Sequence, residues 1–209
     1  SPPIEAKLNR QSPNSQRYPM TLTRKAAPAA EPVTLSEAKT HLRVTDTMED
    51  TLISSLVEAA REEVELATGL ALITQDWRLY IDQWPPSGLV RLRRAPVQSV
   101  IQVTVYDSAG NPQTVVPPAI NLDRNNRPAR FLMPDGLNGP GKAMNGIEID
   151  FRAGYGATGT DVPDGLKRAI LLLVGFWYEN RGTQGGNGAE AAWPDGYERL
   201  IARHKAMEL

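Results

Sequence analysis

The sequence predicts an α+β protein with a mainly helical core, two long helices plus short ones, and a small antiparallel β-sheet inserted between them. Three observations predict it. Residues 48–68 place Leu52, Ile53, Leu56, Val57, Ala60, Val64 and Ala67 at three-four spacing, the period of a half-buried helix. Residues 164–180 repeat the pattern with Leu166, Ile170, Leu173, Val174 and Trp177. Between them, from about 74 to 152, the period drops to two, and Pro85, Pro86, Pro117, Pro118, Pro134 and Pro140 punctuate the chain.

Taken in order, residues 1–32 form a zone of their own. Six of the 17 prolines fall there, with Lys7, Arg10, Arg17, Arg24 and Lys25 against Glu5 and Glu31. So little apolar content does not fold alone. The zone reads as an extended N-terminal arm, either a disordered tail or a segment that orders against a neighbouring subunit. Thr34-Leu35-Ser36-Glu37 fits a capping box and opens a short helix over 35–42. The helix over 48–68 stops at Gly69.

In the middle region Trp77, Leu79 and Ile81 alternate with polar residues. Val97, Ile101, Val103 and Val105 share one face of a second strand, and Asp107-Ser108-Ala109-Gly110-Asn111 is a hairpin turn from which Val115 and Val116 pair back. Short strands are predicted at 121–123, 130–133 and 147–152. Pro163 fits the first turn of the last long helix, with Asp161 or its neighbour as cap. That helix is apolar on more than one side and ends at Arg181-Gly182. Residues 182–193 read as a flexible linker. A final helix over 194–209, ending near Met207, carries Trp193, Tyr197, Leu200 and Ile201 as candidate anchors for docking on a partner.

Composition narrows the chemistry. The 209 residues include no cysteine, which excludes disulfides and thiolate metal sites, and a net charge of -1 gives no global drive toward nucleic acid. The longest apolar run, Ala169 to Tyr178, is shorter than the roughly 18 residues of a membrane span. The N-terminus lacks the apolar segment of a secretory signal, so synthesis in the cytoplasm and no membrane partner are expected.

Candidate sites are few. Gly136 to Ala143 follows a phosphate-binding loop for seven positions, but Ala143 stands where Ser or Thr holds magnesium and a strand follows, so a loop between strands is expected. Gly154 to Gly159 reads as a turn between sheet and helix. Glu148 and Asp150 share a strand face, close enough to serve one metal or a hydrolase, yet two carboxylates on a solvated face are an ordinary polar pattern. His41 and His204 are surface or packing residues of amphipathic helices. Arg91, Arg93 and Arg94 form a basic cluster beside the sheet that would make a charged ring if many copies lined a channel. No catalytic residue, cofactor or metal is expected.

The order of elements carries a further signal. Val33-Thr34-Leu35-Ser36-Glu37-Ala38-Lys39-Thr40-His41-Leu42-Arg43-Val44 leads into an acidic turn and a long helix ending Ala67-Thr68-Gly69. Leu72-Ile73-Thr74-Gln75-Asp76-Trp77 and Arg91-Leu92-Arg93-Arg94-Ala95-Pro96-Val97-Gln98-Ser99-Val100 follow. Then come Ile149-Asp150-Phe151-Arg152-Ala153-Gly154-Tyr155-Gly156, Val162 to Leu173, and Trp177-Tyr178-Glu179-Asn180-Arg181. Over 33–181, the expected connector domain, this series resembles the head–tail connector (adaptor) family of long-tailed phages, prophages and gene transfer agents. The resemblance implies a non-enzymatic subunit of the neck of a virion or phage-like particle. It implies a ring, commonly a dodecamer, that contacts the portal protein and a head-completion, stopper or tail-terminator protein, while double-stranded DNA passes without sequence readout. The alternatives are another virion component, such as a tail-completion or packaging-accessory protein, and a hydrolase using Glu148 and Asp150.

Overall fold

The computed structural model describes residues 20–117, 120–180 and 193–205. The expected arm up to residue 19, the linker over 181–192 and the end of the last helix beyond 205 lie outside the described residues.

Helices and strands form two bodies, each with its own core. In the helical body, α1 (Leu35–Leu42) starts at the capping box: the Glu37 N–H donates to Thr34 Oγ1 at 3.2 Å, and the Thr34 N–H donates to Glu37 Oε2 at 2.7 Å. Both orphan donors of the first turn are thereby satisfied. The next helix, α2 (Asp50–Thr68), stops at Gly69, whose φ of 72° is the left-handed conformation glycine adopts without strain. It starts two residues later than the periodicity predicts, because Asp46 accepts the Met48 N–H and holds 46–48 in a turn. In α3 (Asp164–Glu179), Pro163 is the cap itself rather than a first-turn residue. Asp161 instead closes a capping box with Thr158 on a single 3-10 turn over Gly159–Asp161. The faces of α2 and α3 meet through Ile53, Val57, Ala60 and Val64 against Leu166, Ile170, Leu173 and Val174, all buried.

The strand region is two sheets rather than the single one expected. The strands are β1 (Met20–Arg24), β2 (Gln75–Ile81), β3 (Leu89–Leu92), β4 (Val97–Tyr106), β5 (Pro112–Val115), β6 (Leu122–Asp123), β7 (Ala129–Leu132) and β8 (Ile147–Ala153). The larger sheet runs β1-β2-β8-β4-β5 and the smaller β3-β7-β6, with every pairing antiparallel. Each has one apolar face. Trp77, Leu79, Ile81, Val103, Val105, Ile147, Ile149 and Phe151 of the larger sheet share one core with Val90, Leu92, Ala129 and Phe131 of the smaller. Stacking the two buries both faces.

Two expectations change here. Register shifts in β4 between Val97 and Ser99 and between Val100 and Gln102 bring Val100 into the core and leave Ile101 half-buried. A strict period of two had put Ile101 inward; each bulge resets the alternation. Part of the expected arm is also a strand of the domain: Met20, Leu22 and Arg24 of β1 lie opposite Ile81, Leu79 and Trp77.

A buried charge joins the bodies. Arg61 on α2 is fully buried. Its Nε donates to Glu31 at 2.8 Å and its Nη1 to Glu65 at 3.1 Å. The other Glu65 oxygen accepts the Leu72 N–H at 2.7 Å and Gln75 Nε2 at 2.8 Å. Burial pulls the Arg61 guanidinium down, but hydrogen bonding and charge from Glu31 and Glu65 outweigh it, and the net shift is upward. Burial also raises the Glu31 carboxyl. Replacing Arg61 with Ala strands the Glu65 carboxylate in the interior. We expect a loss of about 3–5 kcal/mol, read as a fall in the thermal midpoint of roughly 10 °C. A midpoint within about 2 °C of the parent protein would remove Arg61 from this role.

Candidate functional site

Glu148 and Asp150 do share a face of β8, but that face is not simply solvated: Asp150 is buried. Across the β2–β8 register Arg78 lies opposite Asp150. It donates to both Asp150 oxygens, at 2.6 and 2.8 Å, and its Nη1 contacts Glu148 at 2.7 Å. Lys25 adds a bond to Asp150 at 3.1 Å and Gln102 one at 3.3 Å. Burial raises the Asp150 carboxyl, but hydrogen bonds from Arg78 and Lys25 more than offset this and hold it below the usual carboxylate range. A general acid needs the opposite shift. Both carboxylates are already spanned by one arginine, which ties β2 to β8, while Gln102 of β4 and Lys25 just past β1 join through Asp150. Among the described residues no group of three or more histidines and carboxylates is close enough to hold a metal ion.

The Gly136–Ala143 loop leads into β8 and not into a helix, so it has no helix N-terminus to bind an anion. Its Gly141 has a packing reason: a Cβ there would lie 2.2 Å from the Ser108 backbone nitrogen, in the turn between β4 and β5. Gly154 to Gly159 is a bend beside the start of β2, where the Thr74 N–H donates to the Gly156 carbonyl at 2.8 Å. His41 and His204 are half-buried. Burial, then Arg168, lowers the first; burial, then Arg203 and Arg127, lowers the second.

The basic cluster separates. Arg94 is half-buried, donates from Nη1 to the Glu65 and Leu70 carbonyls at 2.8 and 3.2 Å, and stacks 4.5 Å from the Trp77 ring centroid. It satisfies carbonyls at the end of α2. Arg91 and Arg93 are exposed. Arg91 lies directly opposite Arg130 in the β3–β7 register. Arg130, which the sequence reading missed, pairs with Asp123 at 3.0 Å. The pairing of β3 with β7 across nearly forty residues left no local signal to reveal it.

The helix expected to dock on a partner packs on its own domain. The helix α4 (Tyr197–Ala202) lies against α2 and α3, with Tyr197 and Ile201 buried in the helical core and Leu200 packed beside them. Trp193 stacks on Tyr197 with ring centroids 5.2 Å apart and stays about half exposed. An apolar stripe looks the same whether it covers its own domain or a partner. Here the stripe packs against α2 and α3, which bury Tyr197 and Ile201.

Residues 32–110 match the family model described as "Phage gp6-like head-tail connector protein". Three solved structures resemble about nine-tenths of the chain. One is from the virion of a native gene transfer agent particle, at 27% identity and a TM-score of 0.72, covering 90% of this chain and 96% of that one. One is from the neck of an empty gene transfer agent particle computed with C6 symmetry, at 29% identity and a TM-score of 0.74, covering 90% of this chain and 97% of that one. The third is from the neck of a native particle computed with C12 symmetry, at 28% identity and a TM-score of 0.72, with the same coverage. No curated protein matches the sequence.

Burial pushes the Tyr197 hydroxyl up to about 12, with Glu63 and Glu198 adding to it, and the oxygen has no hydrogen-bond partner among the described residues. Tyr197→Phe should therefore leave stability unchanged or slightly higher, whereas Tyr197→Ala should cost about 3 kcal/mol or more in urea unfolding. A cost below about 1 kcal/mol for the alanine variant would mean that α4 does not rest on the core in solution.

Proposed function

We propose that this chain, a head–tail connector by its family match and a neck protein by its fold, closes with copies of itself into a ring between the portal and the next head-completion or tail protein. Double-stranded DNA passes through the opening. The observation that carries the reading is coverage: the likeness to a neck protein spans 90% of this chain and 97% of the other. The likeness thus extends well beyond the part that the family model matches.

Symmetry supports the copy number. Twelve-fold symmetry contains six-fold symmetry, so a ring of twelve accommodates both neck structures, and a ring of six does not accommodate the C12 one. The role is structural rather than catalytic. The residues with chemical potential, Glu148, Asp150 and Arg94, each hold the fold together, and Glu148 and Asp150 offer no free carboxylate pair to a substrate. With a net charge of -1 the chain has no global cationic excess to retain DNA, which suits passage without sequence readout.

Deleting the gene in a producing host tests the reading. Filled heads and separate tails should accumulate, and supplying the chain in trans should restore joined particles. Joined particles in the deletion strain, at parental numbers, would overturn it.

A further inference from the structure

A closed ring needs two different, complementary surfaces on every copy. Two exposed surfaces here carry opposite charge, one with two leucines and the other with one. The first is the outer face of the β3-β7-β6 sheet. Its inner face is buried, and alternation turns Leu89, Arg91, Arg130, Leu132 and Asp123 outward. Leu89 lies opposite Leu132, which is 55% exposed, and Arg91 lies opposite Arg130. Like charges directly opposite are unfavourable in a sheet. Asp123 neutralises Arg130, but Arg91 and the neighbouring Arg93 have no ion-pair partner among the described residues.

The second surface is a row along α2. Glu58, Glu62 and Leu66 recur every four residues and so line one stripe of the helix. Leu66 is 73% exposed. Glu58 and Glu62 are exposed and reach Arg61 only at 3.9 and 3.7 Å. The row lies beside the β1 edge of the larger sheet, where Arg24 meets Glu62 at 3.0 Å. Arg93 follows β3 beside the end of α2, its carbonyl oxygen 3.9 Å from a Cβ built on Gly69; Leu89 and Leu132 lie at the other end of the β3–β7 pairing.

We infer that copies of this chain associate head to tail, the outer face of β3-β7-β6 on one copy seating on the Glu58–Glu62–Leu66 row of α2 on the next. The inference rests on the ring reading above. Arg91 and Arg93 gain the acids they lack, and Leu89 and Leu132 cover Leu66. A duplex would also attract the arginines, but it offers nothing to the leucine pair, which favours a protein partner.

The chain has no cysteine, which makes the test clean. Leu66→Cys, Leu132→Cys and the double variant are incorporated into particles and treated with a short bis-maleimide. The double variant should give a ladder of cross-linked species beyond the dimer, and each single variant none. Arg91→Glu with Arg93→Glu should lower the yield of joined particles roughly tenfold or more, and adding Glu58→Arg with Glu62→Arg should restore it. A dimer from either single variant would overturn the head-to-tail pairing. Absence of both ladder and rescue would overturn the interface. So would reversed-charge particles that join normally but deliver less DNA, since the face would then meet nucleic acid. The parental chain failing to purify with particles would instead sink the neck reading itself, a result distinct from these.

Discussion

Arg61 and Glu65 sit one turn apart on α2 with almost no exposure to solvent, and much of the architecture is arranged to keep them there. Removing two charges from water costs several kcal/mol each unless every donor and acceptor finds a partner. The partners come from segments distant in sequence. Glu31 arrives from the stretch that follows β1, while Leu72 and Gln75 arrive from the connection into β2. Arg94, from the connection between the sheets, then covers the Glu65 carbonyl and stacks on Trp77 of the sandwich core. Satisfying one charge pair thus fixes the entry of the N-terminal segment, the end of α2 and the start of the larger sheet. Apolar contact alone would not specify that geometry so narrowly. The orientation of the helical body on the sandwich sets which faces the protein presents outward.

A second polar hub plays the same part within the larger sheet. Arg78 bridges Glu148 and Asp150 on a face a sheet would ordinarily leave to water, and Lys25 closes the site from beyond β1. Read from sequence alone, these residues resemble a place for chemistry. Their partners turn them into a cross-brace over four strands.

The long helices were legible because burial on one side imposes a three-four period and because Thr34, Glu37 and Gly69 are terminal signals with a direct mechanism. The strands were legible as elements but not as an assembly. Nothing local says that β3 pairs with β7, or that two irregularities in β4 exchange Ile101 for Val100 in the core. Met20–Arg24 lay in proline-rich surroundings that outweighed a five-residue alternation. For α4 the pattern was read correctly as amphipathic, but periodicity does not identify the partner. The same limit applied to Arg91, Arg93 and Arg94, three neighbours in sequence, of which one serves the interior and two face outward. The expectation of a connector role came from the order of several weak motifs, not from any one of them.

Imaging of purified particles, with the chain carrying a small tag that electron microscopy can locate, tests the central claim most directly. The account predicts a ring of twelve tagged copies in the neck, between portal and tail, with DNA density through its centre in filled particles. Tags along the tail tube or on the capsid faces, or fewer copies than a closed ring requires, would contradict it.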